Sequence, residues 1–268
     1  MPAPLSVATW NLGWRFGGWE ARQEPIALTL EAIDADIVCL QETWGDSASG
    51  ENQAAQLATR LGLHHVAGET ASHNAVSFMN AVLTRWPIVD SGNIVLPNAA
   101  AKPGHRRALH VVLDSPRGQL HVVTTHLDHR FDGSATRAAQ LSVICEHIAS
   151  IDRNPSTDFP VLLCGDFNAV PDSDEIRTLT GRKPPLVDGQ VFSDAWEIAG
   201  DGSPGYTWRA DNPLLHLAQW PNRRLDYIFA SWPRTSGQGT PIACRLFGLH
   251  PVDEVMPTDH AGVQAILR

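Results

Sequence analysis

Short runs of apolar residues, rich in Val, Ile and Leu, recur along the chain and predict β-strands. These runs occupy residues 5–10, 37–40, 75–84, 88–96, 108–113, 119–125, 161–164, 225–230, 242–247 and 262–267. Turn-forming residues at 114–118 separate two of the runs, and this arrangement predicts a β-hairpin. We therefore expect a chain rich in strands with short connections.

Apolar residues three or four positions apart predict helices between the strands. The pattern occurs around residues 26–33, over residues 53–61 and over residues 136–151. Gly62 is a plausible C-terminal stop for the second of these helices, because glycine readily takes the left-handed conformation that ends a helix. Hairpins mixed with helices favour packed sheets with helices outside over a purely parallel sheet. The chain contains no internal repeat or long linker, so residues 1–268 are expected to form one domain.

The composition is typical of a globular protein. It is 43% hydrophobic, yet no stretch approaches the roughly 18 uninterrupted apolar residues of a membrane span. The N-terminus lacks the basic and apolar regions of a signal peptide. Its cysteines are dispersed, without the spacing of a zinc site or a disulfide framework: Cys39, Cys145, Cys164 and Cys244. We expect a cytoplasmic protein, and nothing in the sequence indicates a protein partner.

The charged residues and the missing motifs exclude several classes of function. A net charge of −9 disfavours extensive non-specific binding to nucleic acid, which depends on many Lys and Arg contacts to phosphates. Neither Lys102 nor Lys183 stands in the Gly-Lys-Ser/Thr context of a nucleotide-binding loop. The chain also lacks the Gly-x-Ser-x-Gly motif of serine hydrolases and the His-Glu-x-x-His motif of zinc proteases.

Candidate chemistry lies at the ends of the predicted strands, where a rigid sheet can bring side chains to one rim. Six short polar motifs occur there, in the order TWN, QET, THL, GDFN, RLDY and TDH. Together they offer carboxylates, carboxamides and imidazoles but no thiols. Such oxygen-rich sites suit Mg²⁺ or Mn²⁺ better than zinc.

This ordered set of motifs resembles the endonuclease/exonuclease/phosphatase superfamily of deoxyribonuclease-like, metal-dependent phosphohydrolases. The matching residues run from Asn11 to His260, which is nearly the whole chain. The resemblance implies an α+β fold, a four-layer α/β/β/α sandwich of two mostly antiparallel sheets flanked by helices. It also implies in-line attack of activated water on a phosphate ester with Mg²⁺ or Mn²⁺ as cofactor.

The resemblance assigns a role to each matching residue. Glu42 is implied as the principal metal ligand, Asn11 lies near the metal or its water shell, and Asp259 reaches the metal directly or through water. The implied catalytic residues are His126, Asp166, Asn168, Asp226 and His260. Among these, Asp226 orients His260 and His126 bonds a phosphate oxygen.

Physical chemistry agrees with these roles. A phosphodiester is an anion, so attack by hydroxide requires positive charge at the non-bridging oxygens, which a divalent ion supplies. A buried aspartate bonded to His260 would fix the imidazole tautomer and raise its pKa. The sequence leaves open whether Asp166 or His260 activates water. We assign Asp166 as the base and protonated His260 as the group that stabilises the transition state.

Further residues are candidates for substrate contact. Arg107 begins a strand in a region where some relatives hold a phosphate-contacting arginine, and a solvated strand-start charge is the alternative. Five tryptophans lie in segments that flank the motifs: Trp14, Trp19, Trp44, Trp208 and Trp220. An aromatic wall that stacks a base or an apolar group is one interpretation, with Trp14 and Trp44 as its main members. Anchoring of loops in the core is the other.

The substrate is left open at this stage. A phosphodiesterase or nuclease acting on DNA or RNA is the first hypothesis, and a sphingomyelinase-like enzyme for a lipid headgroup or small phosphate ester is the alternative. The number of metal ions and the oligomeric state are not readable. A non-catalytic binding module would be expected to lack at least one motif residue, and the motifs are all complete.

Overall fold

The computed structural model describes residues 3–68, 75–98, 106–151, 154, 158–215, 221–232 and 236–268. The strands found there are β1 (Leu5–Asn11), β2 (Ile37–Asp46), β3 (Glu51–Asn52), β4 (His64–Ala67), β5 (Val76–Thr84), β6 (Ile88–Val95), β7 (Arg107–Ser115), β8 (Gly118–His126), β9 (Leu162–Asp166), β10 (Phe192–Asp194), β11 (Asp226–Ser231), β12 (Pro241–Phe247) and β13 (Gly262–Leu267). The helices are α1 (Trp19–Ile33), α2 (Gln53–Leu61), α3 (Ser134–Ser150), α4 (Asp174–Leu179) and α5 (Ala195–Ala199).

The strands form two mixed sheets. The first runs in the order β12-β13-β1-β2-β5-β4, with β3 paired to β2, and the second runs β10-β11-β9-β8-β7-β6. The β1–β2 and β8–β9 pairs are parallel, and the other paired strands are antiparallel. Each sheet therefore has a central parallel pair, whose strands end at the same rim.

Alternating side chains divide the apolar core into three layers. Val122 of β8 packs between the sheets with Cys39 of β2. Val123, the next residue of β8, lies on the other face against Leu141 and Ile144 of α3. Helices α1 and α2 cover the outer face of the first sheet. This arrangement confirms the predicted α+β, four-layer α/β/β/α sandwich.

Most predicted elements are present with shifted ends. The hairpin at residues 114–118 joins β7 to β8, and Gly62 ends α2 in a left-handed conformation with φ 66°. The elements absent from the predictions are β3, β4, β10, α4 and α5, each of which is ten residues or shorter. Because such segments present few periodic positions, their pattern does not distinguish them from loops.

Two features of the described residues bear on the sequence analysis. Their four cysteines are all unpaired and buried. No helix among them is both long and apolar enough to cross a membrane. The assignment of residues 1–268 to one domain stays a prediction.

Candidate active site

The register of three neighbouring strands aligns the centre of the site. At the end of β9, Asp166 pairs with His126 of β8 on one side and with Asp226 of β11 on the other. Directly paired residues point to the same face of a sheet. The three side chains therefore stand in a row along the rim of the second sheet.

The residue before Asp166 must be small. Gly165 has φ 138°, and a Cβ atom there would overlap the carbonyl oxygen of Thr125 on the neighbouring strand. Only glycine adopts this conformation freely while letting another backbone approach so closely. The glycine of the GDFN motif thus keeps β8 and β9 together at the catalytic rim.

Glu42 reaches the site through an irregularity in β2. Leu40 pairs with Ala81 and Thr43 with Met79, so β2 holds one extra residue at this point. Glu42 lies in this bulge with φ 55°, a conformation that costs a non-glycine residue about 1–3 kcal/mol. Bulges redirect side chains next to active sites, and here the bulge presents a carboxylate to the rim.

Asn11 at the end of β1 links the two sheets across the site. Its Nδ2 atom donates to Glu42 Oε1 at 3.2 Å and to Asp166 Oδ2 at 3.0 Å. The opposite face of the amide is used as well, because Oδ1 accepts from the backbone N–H of Gly13. The side chain therefore fixes both carboxylates and directs its own oxygen away from them.

The final histidine is oriented by a buried aspartate. His260 Nδ1 lies 2.8 Å from Asp226 Oδ2, and His260 Nε2 lies 3.9 Å from Asp166 Oδ2. Asp226 is itself held by the Thr207 hydroxyl, which accepts from its backbone N–H. This chain of contacts turns the Nε2 atom of the imidazole toward Asp166.

His126 and Asn168 complete the rim. His126 Nε2 lies 3.4 Å from Asp166 Oδ2, and its Nδ1 lies 3.7 Å from Glu42 Oε1. That Nδ1 is buried with no hydrogen-bond partner among the described residues. Asn168 takes the left-handed conformation with φ 50° and donates from its backbone N–H to Asp166 Oδ1. The buried, unpartnered Nδ1 of His126 is consistent with a bound ligand or water at the rim.

Electrostatics separates the two histidines. Burial and the charge of Arg106 hold the pKa of His126 well below its ordinary value, so this imidazole is neutral. Burial opposes protonation of His260 as well, but the carboxylates of Asp226 and Asp166 outweigh it and raise its pKa well above the ordinary value. One imidazole is therefore neutral and the other carries a charge at neutral pH.

The pKa values of two carboxyl groups in the site, those of Glu42 and Asp166, are raised, whereas those of most surface acids are lowered. Burial and the nearby charge of Asp259 raise the pKa of Glu42 to about 7. Burial and Asp226 raise the pKa of Asp166 to about 6. At both carboxyl groups, burial and the neighbouring carboxylate outweigh the nearby positive charge, which comes from Arg106 and His260 at Glu42 and from His260 at Asp166.

A hard divalent cation would fit beside Glu42 and Asp259. Both donors are carboxylates, the ligands that Mg²⁺ and Mn²⁺ prefer, and their mutual repulsion raises the pKa of Glu42. Arg22 fixes the adjoining loop by donating to the backbone carbonyls of Leu12, Gly13 and Pro257.

Another acidic group of the described residues also has the spacing of a metal site. Donor atoms of Asp166, Asp226 and His260 lie within 4.8 Å of one another. Asp226 and His260 already bond to each other within this group. That bond uses Asp226 Oδ2 and His260 Nδ1, which leaves His260 Nε2 on the side of Asp166.

The rim residues form the floor of a pocket of about 460 Å³. Its walls carry two arginines and four aromatic side chains, namely Arg106, Arg223, Phe16, Phe78, Phe131 and Trp208. Arg106 is half-buried, and its Nη1 has no hydrogen-bond partner among the described residues. Arg223 lies over the ring of Phe131, with Cζ 4.7 Å from the centroid. The pocket therefore combines cationic and aromatic walls above an acidic floor.

Three residues expected at the substrate do not line this pocket. Trp44 is only 2% exposed and packs below Arg15, whose Cζ lies 4.1 Å from its ring centroid. Trp14 is half-buried and donates its Nε1–H to the carbonyl of Ser77. Arg107 begins β7, but its neighbour Arg106 is the one that faces the pocket.

The loop-anchoring interpretation therefore describes Trp14 and Trp44 better than the aromatic-wall interpretation does. Trp208 does line the pocket, and Trp220 lies outside the described residues. The wall residues Phe78 and Phe131 were not among the predicted candidates. A phenylalanine within a strand or a loop carries no signal in one sequence that separates substrate contact from packing.

Comparison with known proteins agrees with this architecture. The model of the Endonuclease/Exonuclease/phosphatase family matches residues 8–260. Protein angel of Drosophila melanogaster is 28% identical over 178 residues, which cover 62% of this chain and 48% of angel. The 2',5'-phosphodiesterase 12 of Mus musculus is 24% identical over 220 residues, covering 73% of this chain and 34% of that protein. The chain thus spans less than half the length of these relatives.

Solved structures share the fold over the whole chain. The structure of D. rerio TDP2 complexed with a single-strand DNA product superposes with a TM-score of 0.78 at 21% identity, covering 100% of both chains. The human Nocturnin catalytic domain with bound sulfate gives a TM-score of 0.72 at 23% identity, covering 100% of this chain and 95% of that one. Fold, motif order and family match agree, and the chain belongs to the endonuclease/exonuclease/phosphatase family, whose members hydrolyse phosphate esters.

Proposed function

We propose that the protein is a Mg²⁺- or Mn²⁺-dependent phosphodiesterase that cleaves nucleic acid strands. The observation that carries this proposal is the convergence of Glu42, Asp166 and His260 on the floor of one pocket. In-line hydrolysis of a phosphodiester needs neighbouring carboxylates that can hold a divalent ion and activate water, and an oriented imidazole that can donate to the phosphate.

Glu42 would hold the divalent ion directly, with Asp259 joining it directly or through water. The bound ion supplies Lewis-acid stabilisation of charge on the phosphate oxygens. Asn11 supports this arrangement by holding Glu42 and Asp166 through the same amide nitrogen. Its contribution is to keep the carboxylates apart and aligned.

Asp166 is the best placed base. Burial and Asp226 raise its pKa to about 6, which brings it near the pH at which a general base works best. The backbone N–H of Asn168 fixes Oδ1, and Oδ2 lies among Asn11, His126 and His260. Asp166 would accept a proton from the attacking water at one of these two oxygens.

His260, His126 and Asn168 would act on the phosphate. Protonated His260 presents Nε2 on the side of Asp166, and its charge stabilises the oxygens as negative charge accumulates on them. Neutral His126 can donate one hydrogen bond from a ring nitrogen. Asn168 Nδ2 donates to the Leu127 carbonyl and carries a second hydrogen for the substrate.

The pocket walls favour a nucleic acid strand as substrate. Aromatic side chains stack bases without regard to sequence, and arginines bind phosphates. The single-strand DNA product seen with TDP2 and the name of the 2',5'-phosphodiesterase point the same way for those proteins. With a net charge of −9, binding would depend on the pocket rather than on a broad basic surface.

A small phosphodiester is the second candidate, and the size of the pocket favours it. A volume of about 460 Å³ matches the range of about 300–1,000 Å³ typical of small-molecule sites. A headgroup with one apolar substituent would contact the aromatic walls as well as a nucleic acid base would.

Comparison of four substrates tests the proposal. The purified protein and its Glu42→Ala variant are given Mg²⁺ with supercoiled plasmid, with single-stranded DNA and RNA oligonucleotides, and with an aryl phosphodiester. We expect the wild type alone to cleave an oligonucleotide. Cleavage restricted to the aryl ester would shift the assignment to a small phosphodiester, and activity that survives in Glu42→Ala would refute the metal site.

A further inference from the structure

A second pocket adjoins the catalytic pocket, which is the one above the catalytic rim. It has a volume of about 430 Å³ and is lined by residues of α5, of the loop that follows α5 and of segments 170–171 and 222–224. Sites for small molecules typically have about 300–1,000 Å³, so the second pocket has room for one nucleotide. We call it the Tyr206 pocket, after the exposed aromatic side chain in its lining.

The same chain segments supply residues to both pockets. Asn168 lines the catalytic pocket, and Val170 lines the Tyr206 pocket. Trp208 and Tyr206 divide between the two pockets in the same way, and Arg223 lines both. Residues two positions apart have Cα atoms at most about 7 Å apart. The two pockets are therefore neighbouring parts of one groove.

The boundary between the pockets is fixed relative to the catalytic rim. The backbone N–H of Arg223 donates to the Trp208 carbonyl at 2.8 Å, and the Arg223 carbonyl accepts from the N–H groups of Trp208 and Thr207. The Thr207 hydroxyl accepts from the backbone N–H groups of Leu225 and Asp226. The backbone at Arg223 is thus connected through hydrogen bonds to the aspartate that orients His260.

The loop that carries Tyr206 is packed on α5. Trp196 Nε1 donates to the Ser203 carbonyl at 3.0 Å. Gly205 has φ 67°, and a Cβ atom there would lie 2.4 Å from the Trp196 ring, so only glycine fits at this point. The backbone before Tyr206 is therefore anchored, while the Tyr206 side chain stays 37% exposed at the pocket.

Arg223 is the cation of this groove that has no carboxylate partner. Glu197 in the Tyr206 pocket pairs with Arg182, and Arg224 Nη1 lies 2.7 Å from Asp194 Oδ2. Arg223 forms no ion pair with any residue that the structure describes. Its guanidinium can therefore bind a phosphate at the boundary between the pockets.

Asn222 adds a neutral donor beside Arg223. Its Oδ1 accepts from the backbone N–H of Ala210 at 2.8 Å, which orients the amide. The Nδ2 group on the other side of that amide carries two hydrogens that can bond a phosphate oxygen or a base edge.

We propose that the Tyr206 pocket binds a further nucleotide of the substrate strand. Tyr206 stacks on its base, and Arg223 binds the phosphate that joins it to the nucleotide in the catalytic pocket. The inference rests on the proposed function and specifies its substrate. Bases held in separate pockets are neither paired nor stacked on each other, so the substrate is a single strand of at least three nucleotides.

Binding to Glu42→Ala tests the proposal without cleavage. Fluorescence anisotropy is measured with labelled single-stranded DNA and RNA of two and of four nucleotides. We expect the longer strand to bind more tightly. Tyr206→Ala in the same background should weaken its binding about tenfold, within the range for one stacked base. Binding of the two-nucleotide strand should not change, and Tyr206→Phe, which keeps the ring, should bind as the parent does.

Trp232→Ala is the matched control, because Trp232 is a 64% exposed aromatic residue that lines neither of these two pockets. Circular dichroism melting checks that each variant is folded. In the active enzyme, Tyr206→Ala should raise KM for the four-nucleotide strand and leave KM for an aryl phosphodiester unchanged.

Three results would overturn the proposal: equal weakening with both strand lengths, no weakening with either, or a duplex that binds as tightly as the single strand. Absence of oligonucleotide cleavage by the wild type would overturn the proposed function alone, since the binding experiment does not depend on cleavage.

Discussion

The Nδ1 atom of His260 lies 2.8 Å from Oδ2 of Asp226, and this bond decides which nitrogen of the imidazole is presented to the pocket. Asp226 is 1% exposed, so its charge is compensated by His260 rather than by water. A buried carboxylate next to an imidazole favours the protonated ring. The His260 imidazolium is therefore a donor with a fixed direction, and the carboxylate of Asp226 offsets its charge.

Removing this donor should slow the reaction without unfolding the protein. For His260→Ala we expect kcat to fall by about 10²–10⁴, the usual contribution of a positioned proton-transfer group. KM should change little, because the donor acts mainly in the transition state. Steady-state kinetics on an oligonucleotide measures both, with exposed His64→Ala as the control. An active His260→Ala enzyme would refute the role.

Asp226→Asn should change the pH profile as well as the rate. The carboxylates raise the pKa of His260 well above its ordinary value, so the wild-type imidazole keeps its proton at neutral pH. Without the charge of Asp226 the pKa falls, and the ring loses its proton at lower pH. The alkaline limb of kcat against pH should therefore move to lower pH. An unmoved limb would mean that His260 does not act as a charged donor.

Glu42→Gln should stabilise the metal-free protein while abolishing activity. The pKa of Glu42 is about 7 in the folded state, above its ordinary 4.5, so the charged form opposes folding once the pH exceeds the folded pKa. The neutral amide removes this cost and should raise Tm at pH 8 in EDTA by about 2–4 °C per kcal/mol gained. Near pH 4.5 the two proteins should melt alike. A lower Tm for the variant at pH 8 would contradict the pKa assignment.

Alanine substitutions of the neighbours Arg106 and Arg107 should have different effects on KM. Arg106 lines the pocket, so Arg106→Ala should raise KM for a phosphodiester about tenfold or more, the value of one charged hydrogen bond. Arg107→Ala is the matched control and should leave KM close to wild type. The opposite result would place Arg107 at the substrate.

The aromatic wall should matter for bases and not for phosphate alone. Phe78→Ala should raise KM on a single-stranded oligonucleotide, since each stacked base is worth about 1–3 kcal/mol. KM for a small aryl phosphodiester should rise less. Trp44→Ala should instead lower the free energy of unfolding by about 3–5 kcal/mol, because Trp44 is buried. Equal effects of Phe78→Ala on both substrates would exclude stacking.

Acid should destabilise the protein through His110. Its folded pKa is about 4 against an ordinary 6.5, so the folded chain binds fewer protons than the unfolded chain between these values. The free energy of unfolding should therefore fall as the pH drops from 6.5 to 4. The groups that face His110 are His121, His147 and Asp90. Urea unfolding should show that the free energy of unfolding of His110→Gln depends less on pH than that of the wild type. His65→Gln is the control and should show the same pH dependence as the wild type.

The catalytic rim was predictable from sequence because its residues directly follow apolar runs. Asn11, His126 and Asp166 each end a strand, and the parallel pairs bring those ends to one edge. Glu42 was found by its motif, but the bulge that directs it was not. A pairing irregularity depends on both strands, and one strand alone does not encode it.

The pocket walls were less predictable for a related reason. Arg106 and Arg107 are chemically identical neighbours, and only the start of β7 determines which one faces the pocket. Trp44 and Phe78 are opposite each other in β2 and β5, yet one is buried and the other lines the pocket. Arg15 and Trp19 pack against Trp44, and such tertiary contacts produce no periodic pattern in the sequence.

Backbone pairing of Asp166 with both His126 and Asp226 also bears on how this protein can acquire new substrates. The reactive groups are part of a hydrogen-bonded sheet, whereas the wall residues Phe16 and Phe131 stand on connections. Insertions and exchanges in those connections can therefore retarget the enzyme while the hydrolytic chemistry is inherited unchanged. A one-residue shift in the register of β9, in contrast, would turn Asp166 to the other face of the sheet and abolish the hydrolytic chemistry in a single step.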